Sequence, residues 1–90
     1  MTRRVLTTLA VYNEADYVND VLDQVSRYSS DVLVVNDGSD DGTTELLAAR
    51  NDIRLLAHDR NRGYGAALRT AFDYAEREEF DVVVTIDCDG

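Results

Sequence analysis

The stretch Asp31–Thr43, DVLVVNDGSDDGT, changes character halfway along. Asp31–Val35 (DVLVV) is short, continuous and β-branched, the pattern of a strand buried on both faces. Asn36–Thr43 (NDGSDDGT) is turn chemistry, with Gly38 and Gly42 free to take positive φ. A strand covered on both faces implies a parallel sheet between two layers of helices, so the flanking segments should supply strands and crossover helices.

They do. On the amino-terminal side, Val5–Val11 mixes apolar and β-branched residues and reads as a first strand. Asn13 is then predicted to cap a helix, with Asp16 three residues on and Glu14 in its first turn. Tyr17, Val18, Val21, Leu22 and Val25 recur at helical spacing to about Tyr28. On the carboxyl-terminal side, Thr44–Arg50 reads as a short helix and Ile53–Ala57 as a third strand. Gly63 and Gly65 precede a helix carrying Ala67, Leu68, Ala71, Phe72 and Ala75 on one side. Phe80–Ile86 is a fourth strand, followed by Asp87-Cys88-Asp89-Gly90. The order β-α-β-α-β-α-β predicts an α/β fold, a parallel Rossmann-like sheet with helices on both faces and the fourth strand beside the first.

Composition narrows the function. Nine basic residues, all Arg, face 18 acidic ones, giving a net charge of −9. A field this negative argues against a nucleic-acid or anionic-membrane binder. The 44% hydrophobic fraction is that of a globular chain. No apolar run has transmembrane length, and Met1–Ala10 lacks a signal-peptide layout. The single cysteine, Cys88, excludes an internal disulfide and fits a cytoplasmic chain. An acid-rich surface without lysine suits high salt, a halophilic reading; GC-rich coding bias produces the same preference for Arg.

Past each strand the sequence turns polar: Tyr12-Asn13-Glu14, Asn36-Asp37, Asp59-Arg60-Asn61, and Asp87 with Asp89. In a parallel sheet these are all carboxyl ends, so they converge on the edge where open α/β sheets bind ligands. Neither GxGxxG after the first strand nor GxxxxGK[ST] occurs, so no Gly-rich loop cradles phosphates. The remaining route to a phosphate is a divalent cation on Asp87 and Asp89, whose oxygen donors suit Mg²⁺ or Mn²⁺. Asp37 can accept hydrogen bonds from a base N–H or a ribose hydroxyl. Local roles compete for several of these residues. Asp37 also suits an Asx turn, Glu14 a helix dipole, and Gly63 and Gly65 a helix start. His58 carries no assigned role. Tyr17, Tyr28, Tyr64 and Tyr74 read as helix packing, leaving only Tyr12 on the rim.

Tyr12-Asn13-Glu14, Val35–Thr43, Asn61–Ala67 (NRGYGAA) and Asp87–Gly90 resemble the successive motifs of family 2 glycosyltransferases. Within that family they are most similar to the polyprenyl-phosphate (dolichol-phosphate) mannosyl- and glucosyltransferase branch. The resemblance implies the A-type nucleotide-sugar-binding fold and a GDP- or UDP-linked sugar donor. It implies that Tyr12, Glu14 and Asp37 hold the nucleoside and that Asp87 and Asp89 bind a metal–diphosphate, with Mg or Mn as cofactor. Val35 and Cys88 would line the same pocket largely through backbone. Ala10 stands where the family often has Pro, and Asn36-Asp37 where it often has Asp-Asp. Family members continue past the paired acids into an acceptor half that usually contributes the general base. The resemblance therefore marks residues 1–90 as the donor-binding half, with the base beyond Gly90, no turnover on its own, and polyprenyl phosphate as the acceptor at family level. An exposed sheet edge there would favour homo-oligomers.

Two other classes share parts of this pattern. A strand ending Asp-x-Asp-Gly also resembles the nucleophile motif of haloacid-dehalogenase phosphatases, although that motif normally opens its domain. A receiver-like or nucleotide-binding module would use the same sheet edge, but a receiver calls for an acid pair after the first strand and a late Lys. Glu14 stands alone, and the chain has no Lys.

Overall fold

The computed structural model describes residues 3–88. Seven elements alternate along the chain: β1 (Val5–Val11), α1 (Val18–Val25), β2 (Val32–Asp37), α2 (Thr43–Ala48), β3 (Arg54–His58), α3 (Tyr64–Arg77) and β4 (Val82–Asp87). The strands form one sheet in the order β3-β2-β1-β4, every pair parallel. The fourth strand lies beside the first, as the sequence predicts. All six residues of β2 are buried, which is what its unbroken apolar run requires of a strand covered on both sides.

Strand alternation divides the core in two. Leu9, Val11, Val32 and Val34 pack with Val18, Leu22 and Val25 of α1 and Leu47 of α2. Leu6, Leu33 and Val35 face the other way, onto Ala67, Ala71 and Ala75 of α3. The alanine stripe has no bulk to hold α3 off the sheet. Phe72, expected on that stripe, is 48% exposed, because a position one residue past Ala71 is turned about 100° around the helix from it. The outer strands are thinly covered: Leu55 of β3 and Val84 of β4 are both exposed. No helix among the described residues is long and apolar enough to cross a membrane.

The start of α1 departs from expectation. Asn13 does not cap it; the helix begins at Val18, and Tyr17 at the cap position offers no side-chain bond. Asn13 instead takes φ 53°, a left-handed conformation that Asn tolerates. Its side chain is taken by a distant partner, accepting from Asp40 N at 2.8 Å. Glu14 therefore lies before the helix and not within its first turn, its carbonyl accepting from Val18 N at 2.8 Å.

One buried group stands out. Thr8 is 1% exposed, and its Oγ1 has no hydrogen-bond partner among the described residues. A buried hydroxyl without a partner loses its hydration for no return. Thr8→Val should leave stability unchanged or raise it by up to about 1 kcal/mol, read from the midpoint of urea unfolding. A loss of comparable size would show that the hydroxyl is bonded after all.

Candidate functional site

Strand register places the polar strand ends side by side. Ala10 is level with Asp87 on one side, and Asp37 with His58 on the other. Val35 belongs to the core under α3, and Leu56 and Val83 pack against it. Asp37 and His58, two residues further along, and Asp87, four residues past Val83, keep that orientation. Asp37 and Asp87 meet the amino end of α3, and His58 reaches Thr70 further along it.

Asp37 is the hub of this edge. Its carboxylate is 4% exposed. Oδ1 accepts from His58 Nδ1 at 2.7 Å and from Arg62 N at 2.9 Å. Oδ2 accepts from Gly63 N at 2.9 Å and from the Asn61 amide at 3.2 Å. Burial by itself pushes this carboxyl up. The His58 bond, the two backbone N–H groups and the nearby imidazole outweigh it and hold Asp37 below its ordinary value of 3.8. The β3–α3 loop thus wraps around one carboxylate. Gly38 lets it come close: at φ 74°, a Cβ there would lie 2.2 Å from the Arg60 carbonyl carbon.

A second set of bonds ties the loop after β1 to the loop after β2. Asn13 N donates to Ser39 Oγ at 3.0 Å, Glu14 N to Thr43 Oγ1 at 3.1 Å, and Ala15 N to Asp41 Oδ2 at 3.1 Å. Asn36, on the opposite face from Asp37, donates to Thr44 Oγ1 at 2.9 Å and accepts from Ser39 N. Most of the NDGSDDGT stretch therefore holds the two loops together, beside the exposed Tyr12.

Between the end of β1 and the amino end of α3 lies a cleft of about 230 Å³, lined by Ala10, Val11, Tyr12, Asp37, Asn61, Tyr64 and Ala67. Tyr12 and Tyr64 are 44% and 55% exposed, giving it two aromatic sides. Tyr64 is a residue the sequence reading misses. It falls on the Ala67–Ala71–Ala75 stripe one turn earlier, so its periodicity is that of packing. At the first turn of α3 it extends past the strand ends, and its hydroxyl makes a long contact of 3.5 Å to Asp87 Oδ1. Aromatic periodicity continuing beyond the strand it should cover would have marked it.

Of the residues named from sequence, Tyr12 and Asp37 line the cleft, and Asp87 lies within reach of Tyr64. Val35 is fully buried and paired in register with Ala10 and Leu56. Cys88 is buried in the core beneath α1. Glu14 does not line the cleft. Asp89 lies outside the described residues. Among the described residues no cluster of three His, Cys, Asp or Glu side chains forms a metal cage. Asp87, exposed and in no ion pair among the described residues, fits instead a cation completed by a second carboxylate and by ligand phosphates. A larger hollow of about 420 Å³ at the opposite sheet edge includes Asp31, Asp52 and Arg54. Its charges are spent on internal pairs, Arg54 with Asp31 and Asp52 with Arg50.

The family model "Glycosyl transferase family 2" matches residues 8–90. Polyprenol monophosphomannose synthase of Mycolicibacterium smegmatis is 33% identical over 96 aligned positions, covering 99% of this chain and 36% of that protein. Undecaprenyl-phosphate mannosyltransferase of Micrococcus luteus is 33% identical, covering 97% of this chain and 38% of its own length. Poly-beta-1,6-N-acetyl-D-glucosamine synthase of Staphylococcus aureus is 34% identical, covering 90% of this chain and 20% of its own. The chain thus spans between a fifth and two fifths of these relatives.

Proposed function

The chain belongs to glycosyltransferase family 2, and from that premise we propose that residues 1–90 are the donor side of a hexosyltransferase, holding a nucleoside-diphosphate sugar in the Tyr12–Asp37–Tyr64 cleft. The observation that carries this reading is the convergence of two exposed tyrosines, one buried carboxylate and one exposed carboxylate on a single face of the sheet's carboxyl edge.

The base stacks on Tyr12, whose exposed ring offers a flat apolar face. Asp37 shapes the nucleoside wall. Three of its bonds run to His58 and to backbone N–H groups. The fourth, from the Asn61 amide, is the longest, and Asn61 itself lines the cleft. A base N–H or ribose hydroxyl can displace that amide without unmaking the loop. The diphosphate then runs toward Asp87, with Tyr64 between nucleoside and carboxylate.

Asp87 and Asp89 are the residues that would hold a divalent cation, Mg²⁺ or Mn²⁺. When bound, the cation neutralises the charge that grows on the leaving nucleoside diphosphate. In the transfer, an acceptor oxygen forms a bond to the anomeric carbon from the face opposite the donor diphosphate. The carbon–oxygen bond to that diphosphate breaks, its electron pair leaves with the nucleoside diphosphate, and the configuration inverts. Two of the relatives carry polyprenol or undecaprenyl phosphate in their names; a polyprenyl phosphate is accordingly the acceptor proposed for the whole protein.

Titration calorimetry of the chain with GDP and with UDP, each with Mn²⁺ present, tests the reading. One of the two should bind, and Tyr12→Ala should weaken that binding about tenfold through loss of base stacking. If neither nucleotide binds, the donor-site reading fails.

A further inference from the structure

His58 lies at the end of β3, with its side chain 7% exposed. Both ring nitrogens are engaged. Nδ1 donates to Asp37 Oδ1 at 2.7 Å, and Nε2 meets Thr70 Oγ1 at 2.8 Å. Thr70 is one and a half turns into α3, with its own hydroxyl 3.1 Å from the Ala66 carbonyl. The imidazole therefore spans from a helix to the carboxylate around which Asn61, Arg62 and Gly63 close. His58 does not line the cleft, whereas Asp37 and Asn61 do.

We propose that His58 is a positioning residue for nucleotide binding: braced against Thr70, it holds the Asp37 carboxylate in the rotamer that builds the Asn61–Gly63 wall of the cleft. This role rests on the donor-site reading above. The physical case is the pairing of positions. A carboxylate has two χ angles and rotates freely unless something fixes an oxygen. Arg62 and Gly63 belong to a loop that itself needs Asp37 for order, so neither can be the fixed point. The fixed point must come from a regular element. His58 is on β3 in register with Asp37 and is braced by α3. A site whose supporting side chains are locked from behind keeps its contacts in place when ligand arrives.

The two halves of the imidazole can be separated by substitution. Asn places its amide nitrogen near Nδ1, and Gln places its own near Nε2. His58→Asn should keep the donor to Asp37, and His58→Gln should lose it. His58→Phe removes both bonds at similar volume, and Thr70→Val removes only the brace. Two readouts apply to the folded chain. The amide resonances of Arg62 and Gly63, both bonded to Asp37, report the loop without any ligand. Calorimetry with GDP and UDP in Mn²⁺ reports the cleft.

The expected result is that His58→Phe and His58→Gln shift both amides and weaken nucleotide binding about tenfold or more. His58→Asn should stay within about threefold of the parent, and Thr70→Val should fall between. If the substitutions lower the melting temperature but leave both amides and the affinity unchanged, His58 is only a packing residue and the proposal is overturned. If His58→Phe does not fold, the contrast between His58→Asn and His58→Gln decides, and equal affinities in those two overturn it. A parent chain that binds neither nucleotide removes the donor-site reading itself, and this proposal with it.

Discussion

Asp37→Ala is expected to lower the unfolding free energy by about 3–5 kcal/mol, a large share of what a domain of this size can hold. The loss comes from what remains, not from what is removed. His58 Nδ1, the Asn61 amide and the N–H groups of Arg62 and Gly63 would all face a site that neither the protein nor water fills well. Asp37→Asn should not rescue fully, because an amide presents two hydrogens on one side, where the carboxylate accepts on both. The same network predicts a pH dependence. Asp37 sits below its ordinary value of 3.8 in the folded chain, although burial opposes this. A group depressed on folding adds stability that is fully present above its unfolded value and is lost as pH falls through the folded one. Stability should therefore fall on acidification below about pH 4, and Asp37→Ala should shed part of that slope. Part remains, because Thr43 holds Asp41 down and Arg50 holds Asp52 down in the same direction. Urea midpoints measured from pH 7 to pH 2 decide the matter. A variant within about 1 kcal/mol of the parent with an unchanged acid limb would mean that Asp37 is not the hub it appears in the structure.

The sheet was legible in the sequence because its information is local and redundant. The β-branched run of β2 demands cover on both faces, and the polar break after each strand marks one common edge. Alternation along the strands even assigns Asp37 and Asp87 to the same face, since Asp37 lies two residues past Val35 and Asp87 four past Val83, both on the α3 side. What was not legible depends on partners far along the chain. Asn13 has the local chemistry of a helix cap, but its side chain is claimed by Asp40 N, 27 residues on. Asp37 reads as an open acceptor, yet the segment from His58 to Gly63 closes over it. His58 has no neighbour in sequence that explains it; only the β2–β3 register does. Tyr64 hides within a periodic stripe because periodicity reports which side of a helix faces the sheet, not where the sheet ends. The Asp-x-Asp-Gly ending taken alone also fits a phosphatase. The order of four motifs along one chain favours the transferase, and the family match spans all four.

Asp89→Asn should abolish the gain in nucleotide affinity that a divalent cation confers. Asp87 ends β4 with an exposed carboxylate, and its one described side-chain contact is the long approach of the Tyr64 hydroxyl. Asp89 follows two residues later, in a chain without a single lysine. Two ionised carboxylates two residues apart repel, and a cation that joins them removes the conflict. Hard oxygen donors select Mg²⁺ or Mn²⁺ over zinc, and two protein ligands alone hold such ions weakly. Metal and nucleotide must then bind together, each supplying ligands that the other lacks, so the coupling is reciprocal. Affinity for GDP or UDP should rise about ten- to hundredfold with Mn²⁺ in the parent chain, and stay at its metal-free level in Asp89→Asn and Asp87→Asn. Asp40→Asn, changed in a neighbouring loop, should keep the full gain, which controls for the loss of one negative charge. Equal loss in all three variants would assign the effect to overall charge, since a chain at −9 attracts any cation. A gain that survives in Asp89→Asn would place the diphosphate away from β4, and with it the direction in which the sugar is presented.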